Sequence, residues 1–164
     1  MSDLILSFRE IGMEDVGRVG GKNASLGEMF QKLIPLKINI PDGFAVTADA
    51  FRLFFQHNEI GESIQKHLKQ LDLKEFSNLN AISSSIKKLI LSGSFPEELT
   101  QEIEKAYEQL CEANGREVEV AVRSSATAED LPGASFAGLH ESFLNIRGKK
   151  KLVETVRSCF ASLY

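Results

Sequence analysis

The chain is most distinctive where an apolar strand runs into a loop of small and hydroxyl-bearing residues, Val122-Arg123-Ser124-Ser125-Ala126-Thr127-Ala128-Glu129-Asp130-Leu131-Pro132-Gly133-Ala134-Ser135-Phe136-Ala137-Gly138. Valines alternate with other residues at Val118, Val120 and Val122, which is the pattern of a half-buried strand. Arg123 then brings a fixed positive charge, and the small residues after it let backbone N–H groups approach a ligand closely. This combination favours a bound polyphosphate over a structural turn.

Arg123 has two interpretations. As a functional residue at the end of a strand, it would hold phosphate oxygens in a bidentate fork, with nearby hydroxyls as further donors and Gly133 and Gly138 allowing a flap to close. The hydroxyl-bearing residues are Ser124, Ser125, Thr127 and Ser135. As a structural residue, it would pin a surface loop through an ion pair with Glu129 or Asp130.

A second candidate site is Gly20-Gly21-Lys22-Asn23-Ala24-Ser25-Leu26-Gly27-Glu28. A glycine pair before a helix offers backbone N–H groups and the positive end of the helix dipole to an anion. The positive charge of Lys22 at this end of the dipole should destabilise the helix by about 0.3–1 kcal/mol, unless a bound phosphate compensates for it. The segment is not a Walker A loop, because Val16 and Asn23 stand where that loop needs Gly and Ser or Thr. The alternative is a solvated lysine after a tight turn.

Composition predicts one soluble, cytoplasmic domain. The 164 residues are 43% hydrophobic and 26% charged, and the net charge of −4 gives no electrostatic case for nucleic acid. The N-terminal residues do not resemble a signal peptide, and no apolar stretch is long enough to cross a bilayer. Cys111 and Cys159 lie far apart without metal-ligand spacing, and both are expected to be buried free thiols.

Hydrophobic periodicity predicts helices and short strands. The strands are expected at 4–8, 43–47, 118–122 and 142–146. One helix is expected at 22–34, with Leu26, Met29, Phe30 and Leu33 on its apolar face, and another after Thr47 as N-cap. Further apolar stripes are expected at 60–71, 76–90 beginning with Phe76, 99–110 and 152–163.

Two signals concern helix ends. Ser94-Phe95-Pro96-Glu97 resembles a capping box that opens the 99–110 helix, and Asn114-Gly115 ends it. The last apolar stripe has no C-terminal Gly, Asn or Pro before Tyr164. We therefore expect the sequence to have been cut from something longer.

Three segments in order resemble signatures of the pyruvate phosphate dikinase / phosphoenolpyruvate synthase family. They are Val19–Glu28, Ile40-Pro41-Asp42-Gly43-Phe44-Ala45-Val46-Thr47, and Arg123–Pro132 followed by Ala134–Gly138. The resemblance implies a mixed α/β fold, in which residues 1–164 form the N-terminal part of an ATP-grasp nucleotide-binding domain with a small sheet flanked by helices.

The resemblance also implies a site and a reaction. Lys22 and Arg123 would bind ATP phosphates, with Arg123 the catalytic residue, and Gly138 and Ser142 would cover the nucleotide. Phosphate would pass from ATP to a histidine on another domain and then to pyruvate on a pyruvate-binding domain, leaving AMP and phosphate. Mg²⁺ is the expected cofactor, with its ligands outside this chain, so no metal ligand is assigned within it. Neither nucleic acid nor membrane is expected as a partner.

The sequence departs from the family pattern directly after Gly138, the last glycine of the flap. Leu139-His140-Glu141-Ser142 stands where the family usually has two glutamines, an acidic residue and threonine. Ser142 keeps the hydroxyl. Two alternatives stay open, the ATP-binding half of a rifamycin phosphotransferase and a non-catalytic nucleotide-binding domain.

Overall fold

Short strands and longer helices make up the computed structural model, which describes residues 4–125, 127 and 141–164. Over these residues the strands are β1 (Ile5–Ser7), β2 (Phe44–Val46), β3 (Val120–Arg123) and β4 (Ser142–Ile146). The α-helices are α1 (Val16–Val19), α2 (Gly21–Leu33), α3 (Ala48–His57), α4 (Gly61–Lys69), α5 (Leu79–Ser92), α6 (Glu97–Ala113) and α7 (Lys149–Ala161). β1 pairs with β2 and β3 with β4, both antiparallel. The mixed α/β prediction is confirmed, with the strands divided between two small sheets.

The larger core lies where α3, α5, α6 and α7 meet. Its fully buried side chains include Phe54, Ile86, Ile90, Leu99 and Ile103. Phe54 packs edge-on against Phe95 and Phe160, at ring-centroid distances of 5.0 and 5.6 Å. Each large side chain buried in this way contributes about 1.5–3 kcal/mol. The periodic stripes of the sequence therefore become one helical core.

A smaller core forms where α2 lies against the segment after β1. The buried face of α2 carries Ala24, Gly27 and Phe30. A β-carbon at Gly27 would lie 2.4 Å from the carbonyl oxygen of Ile11, so the helix approaches that backbone closely because position 27 has no side chain. Met29 was predicted to lie on the apolar face of this helix. That prediction is wrong, since Met29 is 39% exposed.

Thr47 is the N-cap of α3, as predicted. Its Oγ1 accepts a hydrogen bond from the Ala50 N–H at 3.3 Å. The same hydroxyl donates to the carbonyl of Leu4 at 3.1 Å. One buried side chain thus joins the start of α3 to the segment that leads into β1.

The predicted capping box at Ser94 is wrong. Pro96 takes the N-cap position of α6 without a side-chain cap. The side-chain amide of Asn58 holds Ser94 instead. Its Oδ1 accepts a hydrogen bond from the Ser94 N–H and its Nδ2 donates one to the Ser94 carbonyl, both at 2.9 Å. A distant amide therefore replaces the local cap that the sequence indicated.

Phe76 was expected to begin the apolar stripe of α5, and that prediction is also wrong. The carboxylate of Asp72 accepts hydrogen bonds from the backbone N–H groups of Lys74 and Glu75 and from the hydroxyl of Ser77. These bonds, with the one from Ser77 the strongest influence, lower the pKa of Asp72. They hold a turn before α5, and Phe76 lies in it with φ of 52° and 53% exposure.

The last helix follows the prediction closely. Gly148, with φ of 85°, precedes α7, and Leu152, Val156 and Phe160 are buried. Leu163 lies beyond the helix and is 38% exposed. Within the ranges that the structure covers, each helix is too short or too polar to cross a membrane.

Candidate functional site

The β3–β4 hairpin carries the arginine that the sequence singled out. Val122 and Phe143 face each other across the hairpin and pack against the larger core. Because side chains alternate along a strand, Arg123 points to the opposite face, where it is exposed. Arg123 pairs across the hairpin with Ser142. Two of the predicted site residues therefore lie side by side.

Arg123 lines a cleft of about 1380 Å³. All three sequence motifs contribute to its walls, through Val19 and Asn23 from the first, residues 40–47 from the second, and Arg123 with Ser124, Ser125 and Thr127 from the third. A cleft of this size exceeds the usual range of small-ligand pockets, about 300–1,000 Å³. It has room for a nucleotide.

The described residues leave Arg123 available to a ligand. Over that part of the chain its guanidinium makes no ion pair or side-chain hydrogen bond. The alternative interpretation paired it with Glu129 or Asp130, which lie outside the described residues. An arginine in this position presents a planar set of donors that matches phosphate oxygens.

Ser125 supplies an unsatisfied polar atom next to Arg123. Its Oγ is buried and has no hydrogen-bond partner in the described part of the chain. A buried hydroxyl without a partner costs roughly 1–3 kcal/mol, and an anionic oxygen in the cleft would satisfy it. The residues present therefore fit a phosphate group at this wall.

The glycine pair of the first motif marks the start of α2. Gly20 has φ of 81°, a conformation that favours glycine, and Gly21 is the first residue of the helix. Asn23 donates to the carbonyl of Val19 at 2.8 Å, and both residues line the cleft. Lys22 is exposed and is not among the described residues that line it. The role of Lys22 stays a prediction, and Gly138 lies outside the described residues.

Sequence reasoning missed further arginines of this cleft. Arg18, one turn before Lys22, lines the cleft and contacts the Asp15 carboxylate at 3.1 Å. Arg147 also lines it and pairs with Glu119 at 3.1 Å. The spacing of Arg18 before the glycine pair was visible in the sequence, but nothing in the sequence placed Arg147 in the same cleft as Arg123.

The cysteines and histidines offer no competing chemistry in the described region. Burial, with the nearby Glu141 carboxylate, raises the pKa of the Cys159 thiol to about 12, so it stays protonated and unreactive at neutral pH. Cys111 is also free, and half-buried rather than buried as expected. His67 Nδ1 lies 2.7 Å from the Ser63 carbonyl within its own helix. No group of three or more metal-binding side chains occurs among the described residues.

Comparison with known proteins identifies the family. The family model described as pyruvate phosphate dikinase, AMP/ATP-binding domain, matches residues 16–164. This chain belongs to that family. The match includes every residue of the first, second and third motifs.

The curated proteins that are similar to this chain include several named phosphoenolpyruvate synthase. The protein of Neisseria meningitidis is 48% identical over 161 residues, covering 98% of this chain and 20% of the relative. The protein of Helicobacter pylori is 46% identical, and the match covers 96% of this chain and 20% of that protein. The protein of Escherichia coli is 44% identical, and the match covers 99% of this chain and 20% of that protein. The chain therefore spans about a fifth of the length of these relatives.

Proposed function

We propose that this chain is the ATP-binding part of a phosphoenolpyruvate synthase (pyruvate, water dikinase). In the complete protein, ATP loses two phosphoryl groups: one passes through a histidine on another domain to pyruvate and the other is transferred to water, giving phosphoenolpyruvate, AMP and phosphate. The observation that carries the proposal is the cleft that Arg123 lines together with residues of the first and second motifs. Relatives named phosphoenolpyruvate synthase, at 44–48% identity over nearly the whole chain, support the choice of reaction.

The proposed roles follow from the chemistry of each group. Arg123 binds phosphate oxygens through its guanidinium, and the hydroxyls of Ser125 and Ser142 donate to the same oxygens. Lys22 adds a positive charge at the start of α2, and Gly138 lets the flap cover the nucleotide. Positive charge placed where negative charge develops is the main source of catalysis in phosphoryl transfer.

Mg²⁺ is proposed on chemical grounds alone. When bound, it would neutralise charge on the phosphates. As the family resemblance implies, we propose that its ligands lie outside this chain. The remaining partners that we propose are the histidine-bearing and pyruvate-binding domains of the same protein. Two free cysteines agree with a reducing cytoplasm as the compartment.

The test is a product analysis of the complete protein. Incubated with ATP and Mg²⁺, it should form phosphohistidine and AMP, and added pyruvate should discharge the phosphohistidine to phosphoenolpyruvate. Formation of ADP in place of AMP, or no transfer to pyruvate, would contradict the proposal. Transfer to a rifamycin instead would identify the antibiotic phosphotransferase. The 164-residue chain alone should bind ATP weakly and form no AMP.

A further inference from the structure

The β3–β4 hairpin contains one extra residue on β4. At the base of the hairpin Val120 lies opposite Ile146, whereas at its tip Val122 lies opposite Phe143. Between these pairs two residues of β4 face one residue of β3, which makes a β-bulge. Bulges bend a strand and change the direction of the side chains beyond them.

Asn145 is the residue that makes the bulge possible. Its φ is 57°, in the left-handed region. Asparagine adopts this region several times more often than other residues with a side chain, and a β-branched residue there is a severe outlier. Leu144, its partner in the bulge, is 58% exposed and contributes little to the core.

The base of the hairpin is anchored, so the extra residue cannot be absorbed there. The hydroxyl of Tyr107 donates to the Val118 carbonyl at 2.7 Å and accepts from the Gly148 N–H at 3.0 Å. Glu119 and Arg147 form an ion pair across the strands at 3.1 Å. These contacts keep the same strand register as the Val120–Ile146 pair. The change of register caused by the extra residue must therefore appear toward the tip of the hairpin.

The shift decides which residue faces Arg123. With the bulge, Arg123 lies opposite Ser142. A regular ladder continued from the base would place Phe143 there instead. Directly opposed residues on one face have β-carbons about 4.5–5.5 Å apart. The bulge thus places Ser142, which carries a hydroxyl, opposite Arg123 in the position that Phe143 would otherwise take.

We propose that Asn145 is a positioning residue for the phosphate site. Its left-handed backbone sets the register that brings the Ser142 hydroxyl beside Arg123. The inference rests on the proposed function, since it assumes that these two side chains share a phosphate. The same shift turns Phe143 toward the core beside Val122, so the test must separate ligand positioning from packing.

The main test compares Asn145→Val with Asn145→Gly. Valine disfavours the left-handed region and glycine accepts it. In NMR spectra of the 164-residue chain, the Asn145→Val variant should lose the cross-strand proton contact between Arg123 and Ser142 and gain one between Arg123 and Phe143. In the complete protein it should bind ATP at least about tenfold more weakly, from loss of a charge-assisted hydrogen bond, with adenosine affinity unchanged. Asn145→Gly should retain both properties.

A deletion of Asn145 keeps the test decisive if the valine variant does not fold. Removing the extra residue leaves a regular ladder in which Arg123 still faces Ser142, so the proton contact and the ATP affinity should both stay close to those of the unaltered chain. Loss of either in a folded deletion variant would overturn the inference.

Two further results would overturn it. One is an unchanged Arg123–Ser142 contact in folded Asn145→Val. The other is a shifted register with unchanged ATP affinity. Failure of the proposed function looks different, because the unaltered complete protein would then bind no ATP while the register measurements still followed the residue at position 145.

Discussion

Arg123, the last residue of β3, lies directly opposite Ser142, the first residue of β4. The pair stands at the tip of a hairpin whose other face packs on the helical core through Val122 and Phe143. A rigid support behind exposed polar groups limits their movement, which keeps them in place for a ligand.

Replacing Arg123 by alanine should lower phosphohistidine formation from ATP in the complete protein by at least about 100-fold. The reason is that loss of one well-placed donor to a developing charge has an effect of this order. Arg123→Lys should recover only part of the rate, because an ammonium group cannot form the bidentate fork. Arg52→Ala is the control, since Arg52 lies on α3, pairs with Asp49 and is not among the described residues that line the cleft. Equal rates for Arg123→Ala and Arg52→Ala would remove Arg123 from the site.

Replacing Lys22 by alanine should weaken ATP binding much more than adenosine binding, because its proposed contacts are with phosphates. Calorimetric titration of the complete protein with both ligands measures the difference. Lys32→Ala removes a lysine from the other end of α2, where it pairs with Glu28, and should affect neither ligand. An equal loss for ATP and adenosine in Lys22→Ala would contradict the phosphate role.

Gly27→Ala should destabilise the chain by about 1–3 kcal/mol, the usual effect of overpacking. The added β-carbon would lie 2.4 Å from the Ile11 carbonyl oxygen, which is too close for any real contact. Gly17→Ala is the matched control, because the same atom meets nothing within 4 Å there, and alanine favours the helix by up to about 1 kcal/mol. Urea unfolding gives both free energies, and similar values for the two variants would be inconsistent with the close approach of α2.

Phe54→Ala should cost about 3–5 kcal/mol, the typical loss for a fully buried phenylalanine. Phe54 is 0% exposed and contacts the rings of Phe95 and Phe160. The control is Phe76→Ala, whose ring is 53% exposed and whose loss should change stability by less than about 0.5 kcal/mol. Thermal unfolding followed by circular dichroism separates the two. A comparable drop in Tm for both would argue against the observed core.

Cys159 should make the chain less stable at alkaline pH. Its folded pKa of about 12 lies above the ordinary 9.0, so the folded state keeps a proton that the unfolded state loses. Stability from this group is complete below pH 9 and falls as pH rises toward 12. The free energy of unfolding should therefore decline more steeply over this range in the unaltered chain than in Cys159→Ala. If the free energy of unfolding declined equally in the unaltered chain and in Cys159→Ala, the thiol would be exposed to water in the folded state.

Much of the local structure was predictable because it depends on neighbouring residues in the chain. Thr47 caps α3 through the third residue after it. Asn114-Gly115 ends α6, with Gly115 at φ of 63°. The valine alternation placed Arg123 at the end of β3 and on the face away from the core. Each of these features follows from turn chemistry or side-chain period alone.

The errors arose where a distant residue outweighed a local signal. Ser94 looked like a cap, but the amide of Asn58 satisfies its backbone groups instead. Met29 matched the helical period of α2, but the close approach to Ile11 at Gly27 rotated the buried face away from it. In both places the competing partner lies more than ten residues away in sequence.

The sequence by itself determined the family, the order of helices and strands, and the position of Arg123 at a strand end, because motifs and periodicity are properties of nearby residues. Only the tertiary structure decided that the three motifs line one cleft, that Arg18 and Arg147 join it, and that Ser142 rather than Phe143 faces Arg123. The register depends on a left-handed Asn145 and on a hairpin base held by Tyr107. These constraints act between residues that become neighbours only when the chain has folded.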